Sequence, residues 1–269
     1  MQFGTTRPTN CMNEKTPLQT LRRRSAMAVP SMFTVGNMAC GFFSILSSVN
    51  GNFYRAGWLI FIAMFLDGVD GRIARMLKAE SEFGVEMDSL SDLISFCAAP
   101  AFLVYFLALQ YYGFTGAVIA FVYLMCGALR LAKFNTMALD GTGSKKHFSG
   151  LPTPAAAGIL SAFAVSYMVF LEGAKGRNLP FLNSAMPHIY DGIAFLVVAL
   201  AVLMVSKIPY AAFKTRVASG KNSVLFLIFA ALLVYLTIRF PQNIIFIFFS
   251  VYVLVGLFAV IFRAFKNIK

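Results

Sequence analysis

Among 269 residues there are two histidines, one tryptophan, four cysteines and only eleven acidic residues. Each shortage excludes something. The cysteines (Cys11, Cys40, Cys97 and Cys126) have no metal-binding spacing, and three fall in apolar stretches, so they read as small core residues rather than disulfides or zinc ligands. His147 follows Lys145-Lys146 in a Gly/Ser-rich stretch and reads as a solvated loop residue. Charged residues make up 13% of the chain against 59% hydrophobic ones, with a mean hydropathy of +0.74, and a soluble domain of this size needs far more polar surface. The net charge of +12 does not imply a nucleic-acid partner, because no soluble basic domain carries it. It reads instead as topology control and attraction to anionic lipid headgroups.

What the chain has in abundance is long apolar stretches. Eight of them, at 30–50, 53–78, 84–109, 114–138, 153–172, 188–208, 222–239 and 242–264, are long enough to cross a bilayer as helices. The expected fold is an all-α integral membrane protein, with a six-helix bundle and about two further C-terminal transmembrane helices. The implied division is a basic N-terminal arm (1–27), a catalytic membrane domain (28–210) and a two-helix extension (211–269). Residues 16–27 suit a short basic helix lying at the membrane interface. Arg22-Arg23-Arg24 before an apolar run has the look of a signal peptide, but 30–50 is too long for one, so no cleavage is expected. With the N-terminus in the cytoplasm, 19 of the 23 Lys and Arg residues fall on the cytoplasmic side, and only Arg55, Lys175, Arg177 and Arg239 fall outside. The expected location is the cell (inner) membrane, with both termini cytoplasmic.

Against this background the acids are concentrated. Seven of the eleven lie between Asp67 and Asp92, and ionisable groups inside membrane spans mark function by default. On a helical wheel Asp67, Asp70, Gly71, Ala74 and Arg75 share one face within about 140°. Gly84, Asp88, Ser91, Asp92, Ser95 and Ala99 occupy about 100° of the next helix. The short connection between the two helices makes them antiparallel neighbours, and all four aspartates then fall within roughly 8–17 Å of the turn, in one cavity open to the cytoplasm. Oxygen-only ligands favour hard cations such as Mg²⁺, Mn²⁺ or Ca²⁺. Two such ions can clamp a diphosphate for in-line displacement. Arg75 can add a donor to a phosphate oxygen, and Asp92 is best placed to take a proton from an attacking hydroxyl. Interhelical ion pairs of Asp67 or Asp70 with Arg72 or Arg75 would leave Asp88 and Asp92 unexplained.

The eight residues Asp67, Asp70, Gly71, Ala74, Arg75, Gly84, Asp88 and Asp92, fixed over 26 positions, match the signature of the CDP-alcohol phosphotransferases, and the chain resembles that family. The resemblance implies a six-helix, usually homodimeric membrane core in which an alcohol displaces CMP from a CDP-linked substrate. It implies divalent metal, two ions per site, on Asp67, Asp70 and Asp88. Asp92 would be the general base and could also touch metal. Gly71, Ala74 and Gly84 would let the nucleotide approach, and Arg75 would hold phosphate. Three further runs resemble the branch that uses CDP-diacylglycerol and L-serine: Pro30 to Asn37, Ala128 to Asn135, and Phe148 to Ala156, together with Ser91-Asp92-Leu93. Asn37, Arg130, Lys133 and Asn135 are the added candidates for substrate binding. Cys97 and Lys133 stand where glycine and arginine are expected in many relatives. Another acceptor (glycerol 3-phosphate or an inositol compound) and, from another class, a cation transporter or a membrane scaffold are the competing readings.

Overall fold

The computed structural model describes residues 17–77, 82–139, 148–174, 180–206, 209–210 and 251. The expected helices at 222–239 and 242–264 lie outside the described residues, apart from the single position 251. So does most of the turn between the two acidic helices.

Six long helices run through the described residues. They are α1 (Pro17–Val49), α2 (Phe53–Leu77), a third span built in pieces, α5 (Phe114–Leu139), α6 (Thr153–Ala174) and α7 (Pro180–Val205). The third span consists of α3 (Glu82–Asp92), a π-helical turn (Leu93–Ala98) and α4 (Ala99–Leu107). Two-residue strands β1 (Phe148–Ser149) and β2 (Pro209–Tyr210) pair antiparallel beneath the bundle. The segments Met32–Val49, Phe83–Leu107, Phe114–Met137 and Thr153–Glu172 are long and apolar enough to cross a membrane. The 25 residues of α2 carry Asp67, Asp70 and Arg72 in the second half, which dilutes its apolar character. Large side chains face outward, among them Phe65, Phe114 and Phe195 at 70%, 85% and 78% exposure. An apolar exterior of this kind suits lipid rather than water.

α2, the third span, α5 and α6 lie close to the expected limits, whereas α1 and α7 start earlier, α7 at Pro180 rather than at 188. α1 begins at Pro17 and runs unbroken through Pro30, so the basic arm and the first span form one helix. A proline removes one backbone bond, and membrane helices tolerate that loss because neighbours satisfy the freed groups. Gly51, with φ +75°, closes the tight turn into α2.

Two buried clusters hold the bundle. One joins the third span to α5, α6 and α7 through Val104, Tyr123, Leu160, Val197 and Leu200. The other joins α2 to the third span and α6 through Ile60, Phe96, Leu103 and Ala157. Elsewhere, the Tyr112 hydroxyl donates to the Asp191 carboxylate near the middle of α7. That bond pushes the tyrosine pKa up to about 12.

Lipid offers no hydrophobic drive for helix association, so small residues set the approach of the backbones. A Cβ on Gly41 would lie 2.5 Å from Ser95 Oγ and 2.7 Å from Ser95 Cα. A Cβ on Gly127 would lie 2.4 Å from Cys97 Sγ. Cys97 is therefore accommodated where a glycine is expected because α5 presents a glycine to it.

Gly41→Ala is expected to lower the stability of the detergent-solubilised protein by about 1–3 kcal/mol through overpacking. Gly192→Ala, where nothing lies within 4 Å of the added Cβ, should stay within about 1 kcal/mol of the native protein, on the favourable side. Thermal melts of the two variants side by side check both.

Candidate active site

α2 and α3 bring three carboxylates together. One oxygen from each of Asp67, Asp88 and Asp92 lies within 4.8 Å of the other two. Asp67 is one turn before Asp70 on α2, and Asp88 one turn before Asp92 on α3, which reproduces the facing stripes expected from spacing. Asp70 is close enough to interact electrostatically with both Asp67 and Asp88. It stands outside the trio because its Oδ2 accepts a hydrogen bond from the Thr34 hydroxyl on α1. Asp70 is 5% exposed, and its Oδ1 is buried with no hydrogen-bond partner among the described residues.

α1 forms the third wall. Asn37 is 1% exposed, and its Nδ2 donates to Asp92 Oδ1 at 3.4 Å. The third span in turn donates to α1: Ser91 Oγ to the Thr34 carbonyl at 3.0 Å and Ser95 Oγ to the Asn37 carbonyl at 2.9 Å. The wheel placed Ser91 and Ser95 in the same stripe as Asp88 and Asp92. Instead they point at α1 and leave the cavity to the aspartates.

The π-helical turn begins directly after Asp92. Its cause is legible in Pro100, which has no N–H to give to Phe96, the carbonyl four residues back. The Ala99 N–H reaches past it to Ile94, and the Tyr123 hydroxyl on α5 donates to the freed Phe96 carbonyl at 3.2 Å. Such widened turns occur frequently at functional sites.

The α5 candidates separate. Arg130 is 8% exposed, its guanidinium lies 4.6 Å over the Phe134 ring, and Nη1 donates to Thr153 Oγ1 at 3.3 Å. It interacts electrostatically with Asp92 and brings positive charge to the acidic cavity. Lys133 is exposed. Asn135 turns to α3, accepting from Ser89 Oγ at 3.0 Å and donating to Glu86 Oε2 at 3.4 Å, so it ties α5 to α3. Gly71 is exposed and Gly84 half-buried, each within a turn of an aspartate. Ala74 and Arg75 continue α2, but their side chains lie outside the described residues.

Sequence reasoning placed Ser91 and Ser95 in the acidic stripe without their bonds to α1, and it gave no individual role to Thr34, Tyr123 or Thr153. The available signal was hydroxyls at helical spacing in apolar segments, Thr34 with Asn37 and Ser91 with Ser95.

The donor set fits a hard divalent cation. It is made of carboxylate oxygens only, three of them converge, and Asp70 Oδ1 and Asn37 Oδ1 are buried without partners among the described residues.

The geometry can be set beside known proteins. A family model described as CDP-alcohol phosphatidyltransferase matches residues 27–205. A CDP-diacylglycerol--serine O-phosphatidyltransferase of Helicobacter pylori (strain J99) is 34% identical over 239 residues, covering 89% of this chain and 93% of that protein. A protein of the same name from Bacillus subtilis (strain 168) is 35% identical over 195 residues, covering 72% of this chain and 96% of that protein. An archaetidylserine synthase of Methanothermobacter thermautotrophicus is 35% identical over 188 residues, covering 69% and 70% respectively.

Substrate-free protein should bind Mn²⁺, read as loss of the free-ion signal in electron paramagnetic resonance. Asp67→Asn, Asp88→Asn and Asp92→Asn should each weaken binding by at least about tenfold. Glu86→Gln, on the side of α3 that faces Asn135, should not.

Proposed function

This chain belongs to the CDP-alcohol phosphatidyltransferase family, and from that premise we propose that it transfers the phosphatidyl group of CDP-diacylglycerol to L-serine, giving phosphatidylserine and CMP. The observation that carries the reading is the convergence of Asp67, Asp88 and Asp92 inside a bundle of membrane helices. The names of the three relatives share serine, which favours it over glycerol 3-phosphate or an inositol compound as acceptor.

In this reading the acyl chains of the donor stay in lipid and its cytidine diphosphate enters the carboxylate cavity from the cytoplasm. The charge bias of 19 cationic residues to 4 supports that orientation, and with it a cell-membrane location with both termini cytoplasmic. Residues 28–210 form the catalytic unit, which the family match over 27–205 supports, and the expected extension at 211–269 lies outside the described residues apart from position 251. A homodimer, implied by the family resemblance, is part of the proposal.

Asp67, Asp88 and Asp92, with Asp70 beside them, would hold one or two divalent ions, Mg²⁺ or Mn²⁺ before Ca²⁺, whose charge would neutralise the diphosphate and polarise its phosphorus. By the family resemblance Gly71, Ala74 and Gly84 would admit the nucleotide and Arg75 would hold phosphate. Asn37 holds one oxygen of Asp92, which orients the carboxylate, and Asp92 takes the proton of the serine hydroxyl. The serine oxygen then attacks the diacylglycerol-linked phosphorus, the bond to CMP breaks and CMP leaves with the electron pair. Arg130, fixed by Thr153 and Phe134, keeps a positive charge beside Asp92. Lys133 meets the anionic surface from outside, and Asn135 holds the α3–α5 wall in place.

Purified protein in detergent should release CMP from CDP-diacylglycerol when L-serine is present, and much less with glycerol 3-phosphate or inositol. A chelator should abolish release and added Mn²⁺ or Mg²⁺ restore it. Asp92→Asn should lower turnover by about 10²–10⁴-fold, the usual worth of a general base, while CDP-diacylglycerol still binds. CMP release at equal rate with every acceptor would remove serine from the assignment, and a near-native Asp92→Asn would remove Asp92 as the base.

A further inference from the structure

The carboxylates of α2 and α3 are held from α1. Thr34 and Asn37 lie one turn apart, are 5% and 1% exposed, and are used in the same way. The side chain of each donates to an aspartate, Thr34 to Asp70 and Asn37 to Asp92. The carbonyl of each accepts from a hydroxyl of the third span, Ser91 and Ser95 in turn. Thr34 thus joins three helices at one residue. Ser91 fixes its backbone, and its hydroxyl fixes Asp70.

A carboxylate on an open helix face turns easily, because its terminal torsion is broad and roughly two-fold. Asp70 is not free in that way. One oxygen is engaged by Thr34, and the other, Oδ1, is buried without a hydrogen-bond partner among the described residues. An orphaned carboxylate oxygen in a buried site is costly unless a cation or donor meets it. Asp70 follows Asp67 by one turn of α2, on the same helix face, and Asp67 is one of the three carboxylates whose oxygens converge.

We propose that Thr34 is a positioning residue for the cation site: by holding Asp70 through Oδ2 it reserves Oδ1 for a divalent ion shared with Asp67 and Asp88. The inference rests on the reading of the acidic cluster as a cation site and adds to it a residue of α1 that touches neither ion nor substrate. A plain interhelical tie would stabilise the bundle without changing ion affinity, which separates the two roles.

The test uses the full chain in detergent, with Mn²⁺ alone as probe and free ion read by electron paramagnetic resonance. Thr34→Val and Thr34→Ala both lack the donor but differ in shape, and Thr34→Ser keeps it. The expected result is Mn²⁺ binding weakened by about 10–100-fold in Thr34→Val and Thr34→Ala, the usual effect of losing a partner that orients a ligand, with Thr34→Ser within about threefold of native. Half-saturation by Mn²⁺ in the CMP-release assay should move in parallel. If Thr34→Val does not fold, the comparison of Thr34→Ala with Thr34→Ser decides. Native affinity in the donor-less variants with only a lowered melting temperature would overturn the proposal, as would a Thr34→Ser as weak as Thr34→Ala. A native chain that binds no Mn²⁺ would remove the cation reading itself and this inference with it. Native binding with unaffected variants would remove this inference alone.

Discussion

The constraint on which the rest of the structure depends is repulsion among carboxylates inside a membrane bundle. Two ionised carboxylates about 5 Å apart repel by about 3 kcal/mol even at the moderate effective dielectric of a protein, and three oxygens here meet within 4.8 Å. A hydrogen bond to a charged group returns about 1.5–3 kcal/mol. The bonds from Thr34 and Asn37 therefore offset part of the repulsion and leave a balance that suits positive charge. The protein supplies some of that charge through Arg130, and a divalent cation would neutralise the remainder.

Keeping such groups in place requires stiff walls, and the fold provides them with small residues and hydroxyls rather than with bulk. Gly41 lets α1 lie directly on Ser95, which brings the Asn37 carbonyl within reach of the Ser95 hydroxyl. Ser44 of α1 donates to the Ala56 carbonyl of α2 at 2.9 Å, so α1 is tied to both acid-bearing spans. The apolar clusters are built from other positions of the same helices, such as Ile60 of α2 and Leu103 of α4. Chemistry and packing are thus assigned to different faces of the same helices.

Much of this was legible in the sequence, and for a physical reason. Bilayer thickness sets a minimum span length, so six spans follow from the apolar runs. Charge is expensive in lipid, so seven acids in 26 positions announce the site. What the sequence could not show is where a residue's hydrogen bond goes once helices pack. Ser91 and Asp92 are neighbours, yet one serves α1 and the other the cavity. Arg130, Lys133 and Asn135 looked like one basic end of a helix. The structure buries the first, exposes the second and gives the third to α3. The continuity of α1 through Pro30 was likewise hidden, because proline reads as a boundary wherever its lost bond has no visible substitute.

The widened turn after Asp92 has a consequence for the faces this span presents. An ordinary helix is a single screw, and rotating one end rotates the other. Six residues of π-helix add an angular offset between the two halves, so α4 presents Leu103 and Leu107 to the core in an azimuth shifted from the one an unbroken α-helix would give. The same span thereby turns its aspartates toward α2 and its buried apolar half toward the core.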